Sequence, residues 1–334
     1  MGQKMNGKMK RLPMKMRDLK RMRDLMRKSH LMRKNLLMRK SLLIIYMALT
    51  ALALASCGED TQPTDETATD KGVEMKLLMS HPSNKAPTAP SYFEAGDKVG
   101  LFVSEDGKPL EVGGNVVNNE ALTYNGNEWT AAKTLYWDEG LYNVYAYHPY
   151  IGRVSSIEDQ PFSVSLDQRT EKTATALGGY KASDLLFATS KGVRASDEPV
   201  QLAFRHIMSK ITIRLVKGED FEGEMPKNAT VYVHNTVTEA TIDLQAGVAT
   251  RHAKAPRQTI TAHHDGDNLY SAIVVPQRIE NRMPFIEVIM NNMSYLYESK
   301  FLFKPGMEHF VNLIIPNNPN STKIEIGGGI KNWE

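Results

Sequence analysis

Ser209-Lys210-Ile211-Thr212-Ile213-Arg214-Leu215-Val216 alternates apolar and polar residues more cleanly than any other stretch of this 334-residue chain. A period of two places Ile211, Ile213 and Leu215 inward and Lys210, Thr212 and Arg214 outward, the mark of a half-buried strand. Downstream the theme recurs at 230–234, 241–244, 269–275, 284–291, 295–303 and 309–315, a spacing that suits a β-sandwich. Upstream, 73–79 is a short strand and 97–103 another, stopped by the hairpin signal Asp106-Gly107 and followed by a second, Asn125-Gly126. Residues 141–148 also alternate, with Tyr142, Val144 and Ala146 on one face and Asn143, Tyr145 and Tyr147 on the other, until Pro149 ends the run.

Between these lie a loop at 81–90, which Pro82, Pro87 and Pro90 keep out of any central ladder, a strand pair at 155–166 and a polar loop at 167–179. Short buried runs follow at 184–188 and 200–204. β-Branched and aromatic residues fill the runs while Gly, Pro, Asn and Asp mark their ends, and no stretch after residue 57 carries a three-turn helical apolar stripe. The expected fold class is all-β, with two β-sandwich domains in series at 73–196 and 197–316, joined by a crossing at 191–198. The tail, 317–334, opens with loop chemistry, alternates at Lys323-Ile324-Glu325-Ile326, and ends with Ile330 and Trp333. It either folds back onto the second domain, which the sequence favours, or adds a strand to another molecule's sheet.

The N-terminal region has a different character. Residues 42–55 are fourteen uncharged, mostly apolar residues behind Arg39-Lys40, too short to span a bilayer as a helix but suited to an export signal. They end in Leu54-Ala55-Ser56-Cys57, which holds the only cysteine in the chain. The pattern resembles the lipobox of bacterial lipoproteins, in which the cysteine is acylated and becomes the first mature residue. Two or three acyl chains there would give lasting membrane attachment. The fifteen Lys and Arg of residues 1–40 read as a basic extension, with the translation start expected downstream at Met32 or Met38. Thus 1–56 is extension plus signal peptide, and 57–72 is a flexible acidic tether whose composition resembles the surface-export signal of Bacteroidota lipoproteins. Without residues 1–40 the chain keeps 26 basic against 36 acidic residues, so it offers no general attraction to nucleic acid. With Cys57 lipidated no disulfide can form.

Catalytic and metal-ligating patterns are sparse. His263-His264-Asp265-Gly266-Asp267-Asn268 has the composition of a surface turn and lacks further ligands at a recognisable spacing. Gly327-Gly328-Gly329 leads into no helix, so phosphate binding is implausible. Asp138 and Glu139 beside Trp137, taken as neighbours on a strand, would point to opposite faces and could not act as a glycosidase pair. The reading is no enzyme, no cofactor and no metal. Trp129, Tyr136, Trp137, Tyr142, Tyr145, Tyr147 and Tyr150 fall within 22 residues and could pack a core, bind a glycan or form a protein interface.

Several motifs in order resemble the fimbrillin-like (Mfa-like) family, the type V pilus subunits of Bacteroidales. They are Phe93-Glu94-Ala95-Gly96-Asp97-Lys98-Val99-Gly100, then Trp137 with Ala146-Tyr147-His148-Pro149-Tyr150, then Asp167-Gln168 and Ser183-Asp184-Leu185-Leu186-Phe187-Ala188. Leu202-Ala203-Phe204-Arg205-His206-Ile207-Met208-Ser209, Val275-Pro276-Gln277 and the terminal Ile330-Lys331-Asn332-Trp333 complete the series. The resemblance implies two transthyretin-like sandwiches and an outer-membrane lipoprotein, displayed on the cell surface or in a fimbrium. It also implies assembly with other fimbrial subunits by strand exchange, with a host or bacterial surface ligand if the subunit is adhesive. In that scheme a protease removes the first strand, here 73–79, and the groove takes a neighbour's C-terminal strand, here 323–333 with Ile324, Ile326, Ile330 and Trp333. The family's usual arginine cleavage site is missing, since no Arg lies between Cys57 and Arg153, and Lys85-Ala86 takes its place. The other reading that shares the anchor, tether and sandwiches is a glycan-binding surface lipoprotein of a nutrient-uptake system.

Overall fold

The computed structural model describes residues 72–82, 93–225, 227–321, 323–325 and 329–333, all within one compact unit, 69–334. The expected signal peptide, lipobox and tether lie outside the described residues.

In chain order the first half comprises β1 (Val73–Glu74), β2 (Leu77–Ser80), β3 (Lys98–Glu105), β4 (Val117–Tyr124), β5 (Trp129–Thr130), β6 (Tyr136–Trp137), β7 (Leu141–His148) and β8 (Gln160–Ser163). A one-turn helix, α1 (Gly179–Ser183), leads into β9 (Leu186–Arg194), β10 (Val200–Ala203) and β11 (Arg205–His206). The main sheet runs β11-β9-β7-β3-β4-β5 with every neighbour antiparallel. β7 alternates as expected but is buried on both faces. Tyr142, Val144 and Ala146 enter one core with Val99, Leu101 and Val103 of β3, while Tyr145 and Tyr147 enter a second with Phe102. Each large side chain so buried contributes about 1.5–3 kcal/mol. Opposite Tyr147 in the β3–β7 register sits Gly100, where an added Cβ would lie 2.4 Å from the tyrosine ring.

Two small sheets cover the first core. β1 pairs antiparallel with β6, and β2 pairs parallel with β10. The expected strand 73–79 is therefore two strands with different partners, broken at Met75-Lys76. Val200, Leu202 and Phe204 belong to this first core although the sequence places them past residue 197. Conversely, the expected pair at 155–166 is a single strand, β8, and it pairs with β14 (Glu239–Asp243) of the second half. Strand pairing thus crosses the expected 196/197 boundary in both directions. The sequence reading could not see this, because partners distant in sequence leave no local trace in composition.

The second half continues with β12 (Ser209–Lys217), β13 (Thr230–Val237), β14, β15 (Val248–Arg251), β16 (Arg257–Thr261), β17 (His263–Gly266) and β18 (Leu269–Val274). It ends with β19 (Gln277–Met290), β20 (Met293–Phe303), β21 (Met307–Ile315), β22 (Lys323–Glu325) and β23 (Ile330–Asn332). β12 lies centrally, antiparallel to β18 and parallel to β21. Ile211, Ile213 and Leu215 are buried as expected. Thr212, expected outward, is buried too, because its hydroxyl donates a 2.7 Å bond to the Glu308 carboxylate on β21. A β16-β13-β19-β20 sheet contributes Val231, Val233, Phe285, Ile286, Tyr295 and Tyr297 to the same core. β19 is longer than the expected 284–291 because Pro284 does not end it. The proline pairs with Glu298 beside a register shift, where a residue lacking an N–H is tolerated.

Candidate functional site

The tail folds back along its own second half, the placement that the sequence reading favoured. β22 and β23 both lie antiparallel on the outer edge of β21, with Leu313 opposite Ile324 and His309 opposite Ile330. Of residues 329–333 only Trp333 is buried, and Ile330 is 49% exposed. The Trp333 amide donates to the Gly306 carbonyl at 3.0 Å. Lys331 places its ammonium 3.2 Å from Glu308 Oε2 and 4.8 Å from the Phe310 ring centre. Burial raises the Glu308 carboxyl, but the Thr212 hydroxyl, the Lys210 charge and the bond to Lys331 outweigh it and hold the group below its ordinary range.

The first segment is attached lightly. β2 is an edge strand with β10 as its one ladder partner, and β1 offers two residues to β6. Met75 and Met79 are buried in the first core, whereas Leu78 is 54% exposed. The candidate cleavage residues Lys85 and Ala86 lie outside the described residues, as do Cys57, Leu54, Ala55, Ser56 and Ile326. Beyond that connection Phe93 packs edge-on against Trp129, His148 and Phe204. The motif residues that follow have structural tasks. Gly96 adopts φ +92°, and Asp97, 1% exposed, accepts the Glu94 amide at 2.8 Å and faces the Lys181 ammonium at 2.8 Å.

The segment that follows β2 and the C-terminal tail meet at His206, which sequence reasoning notes only as part of a motif. Its Nδ1 lies 2.7 Å from Asp184 Oδ1, so that nitrogen carries the proton and donates to the carboxylate. The Trp333 indole stacks on the imidazole with ring centroids 3.6 Å apart and planes 5° from parallel. His81, the residue after β2, meets the same imidazole edge-on at 5.8 Å. No spacing rule could have joined residues 81, 184, 206 and 333, because strand register alone assembles them.

The other candidates disperse. Of the seven clustered aromatics, Trp137, Tyr142, Tyr145 and Tyr147 are buried, Trp129 and Tyr150 are half-buried and only Tyr136 exceeds a third exposure, so they form no stacking platform. Asp138 and Glu139 lie in the bend after β6, not on a strand, and their carbonyls accept from the Tyr142 hydroxyl at 3.0 and 3.4 Å. His263 to Gly266 form β17, and the tight turn comes after it at Asp267-Asn268. There His264 Nε2 lies 2.8 Å from the Asp267 carbonyl and Asp265 accepts from Ser271 at 3.0 Å.

A family model described as fimbrillin-like matches residues 85–333. The "Putative fimbrium tip subunit Fim1C" of Bacteroides ovatus is 29% identical over 162 residues, 44% of this chain and 29% of that protein. This chain thus spans less than a third of that relative's length. The crystal structure of a "putative cell adhesion protein" of Bacteroides ovatus superposes with a TM-score of 0.62 at 20% identity, covering 79% of this chain and 98% of that one. One of the same description from Bacteroides uniformis gives 0.60 at 20% identity, covering 82% and 100%. Both share the all-β architecture described above. The match runs from the connection after β2 to the Trp333 that stacks on His206, and the chain belongs to the fimbrillin-like family of fimbrial and cell-adhesion proteins.

Proposed function

We propose that this chain is a cell-surface lipoprotein, anchored through Cys57, that serves as a structural subunit or adhesin of a fimbrium and has no enzymatic activity. Its two sandwiches assemble head to tail with other subunits by strand exchange. Cleavage between Lys85 and Ala86 frees β1 and β2, and the vacated groove takes the tail of a neighbour, residues 323–333. Head-to-tail contacts of this kind do not close on themselves, so they build a fibre.

The observation that carries this reading is the unequal attachment of the first segment. Losing it leaves the main sheet paired but takes from β6 and β10 their partners in the two small sheets and uncovers the core positions filled by Met75 and Met79. An incoming strand that restores both is favoured by backbone pairing and apolar burial together. The aromatic cluster supports the competing glycan-platform reading poorly, since most of it is spent on packing.

Intact mass and N-terminal sequencing of the protein recovered from the outer membrane test the proposal. A chain beginning at Ala86 without lipid marks a polymerising subunit. An acylated chain beginning at Cys57 marks a subunit that keeps its first strand, as an anchor or tip does. A start at neither position overturns the lipobox and cleavage assignments.

A further inference from the structure

The stacking at His206 links the segment proposed to leave with the segment proposed to be donated, and this inference rests on the strand-exchange reading above. We propose that His81, His206 and Trp333 form a latch that holds the tail on its own sheet until the first segment has gone. Three observations converge on it. First, Trp333 is the one buried side chain among residues 329–333, so the terminal part of the tail depends on its seat. Second, that seat is the flat face of His206, whose Nε2 is buried without a hydrogen-bond partner and whose orientation is fixed by Asp184. Third, the first segment braces the same ring. β2 pairs with β10, the Phe204 amide donates to the Ser80 carbonyl at 2.9 Å, and His81 caps the imidazole edge. Withdrawing β2 strips one edge from the strand that leads into His206 and opens the ring to water on the side His81 covers.

The consequence is an order of events. A subunit that retains its first segment keeps its tail docked and cannot donate. One that has been cut becomes acceptor and donor together. The Lys331–Glu308 pair is no part of the brace, since it touches neither β2 nor His206 and Lys331 is 62% exposed.

Hydrogen exchange of the full chain, read at the amides of residues 330–333, tests the latch. His81→Ala keeps the fold and the Trp333 seat but removes the brace, and those amides should exchange roughly three- to tenfold faster, the range of one lost aromatic contact. The β12 amides should stay unchanged. Proteolytic removal of the first segment should accelerate tail exchange at least as much as His81→Ala does. Unchanged tail exchange after both treatments overturns the latch, whether or not polymers form. If the tail loosens while stripped chains fail to polymerise, the latch stands and the strand-exchange reading falls.

Discussion

The side-chain amide of Gln168 pairs with the backbone of Ile273 as a neighbouring strand would, its Nε2 donating to the carbonyl at 2.7 Å and its Oε1 accepting from the amide at 2.8 Å. Gln277 does the same for Val237, at 2.9 Å in each direction. Both glutamines stand in stretches that the sequence reading likened to the family's motifs, and both complete a ladder where the chain supplies no strand. Gln168→Ala leaves two buried backbone groups unpaired, each costing about 1–3 kcal/mol. Urea unfolding should show that loss as a lower midpoint with an unchanged slope, and Gln168→Glu, which lacks the donor, should not rescue it.

Gly100→Ala should destabilise by about 1–3 kcal/mol, as overpacking of a dense core does. The reason is the Tyr147 ring, which the new methyl would overlap and which cannot retreat because its hydroxyl donates to Asn119 Oδ1 at 2.6 Å. Thermal unfolding of Gly100→Ala and of the double variant with Tyr147→Leu separates the causes, since the smaller partner should recover part of the loss.

Ile330→Asp distinguishes folding from assembly. The residue is 49% exposed on β23, so its replacement should leave monomer stability within about 0.5 kcal/mol. The proposed strand exchange would turn the same position toward a neighbour's groove, and the variant should then polymerise at least tenfold more slowly by light scattering.

Acid should loosen the first segment before it unfolds the protein. Burial pushes the His81 imidazole down to about 4, against the charge of Asp184 and with help from His206, His148 and Lys181. The neutral ring is therefore favoured in the fold over the unfolded chain, where the value lies near 6.5. That contribution is complete above pH 6.5 and is lost as the pH falls toward 4. Burial lowers His148 as well, against its bond to the Lys98 carbonyl, so it acts in the same direction. Exchange at the β1 and β2 amides should rise across this window, and His81→Leu should flatten the response.

Much of this architecture was legible in advance. The alternation in β12 and β7 gave the right faces, Asp106-Gly107 marked the end of β3 and Asn125-Gly126 the turn between β4 and β5, but β4 itself, which starts only at Val117, was not read. Period-two reasoning failed where a polar residue had a buried partner, as Thr212 has in Glu308, and where a proline sat at a bulge, as Pro284 does. It could not assign β10 to β2 or β8 to β14, because long-range pairing is decided by fit among distant strands and not by local composition. The candidate site was half visible. The terminal Trp333 and the strand region at 73–79 stood out, but the meeting of Trp333 with His81, just past that region, on the ring of His206 required the fold.

The seating of the tail on β21 also governs how the protein must be handled. β21 has β12 on one flank and the two short tail strands on the other, so the tail is the border of that sheet. A chain truncated before Lys323 would bare a row of unpaired amides and carbonyls along Met307–Ile315, a template for indiscriminate pairing. Solubility of recombinant forms therefore depends on eleven C-terminal residues, 323–333, that no stability screen of the core would flag.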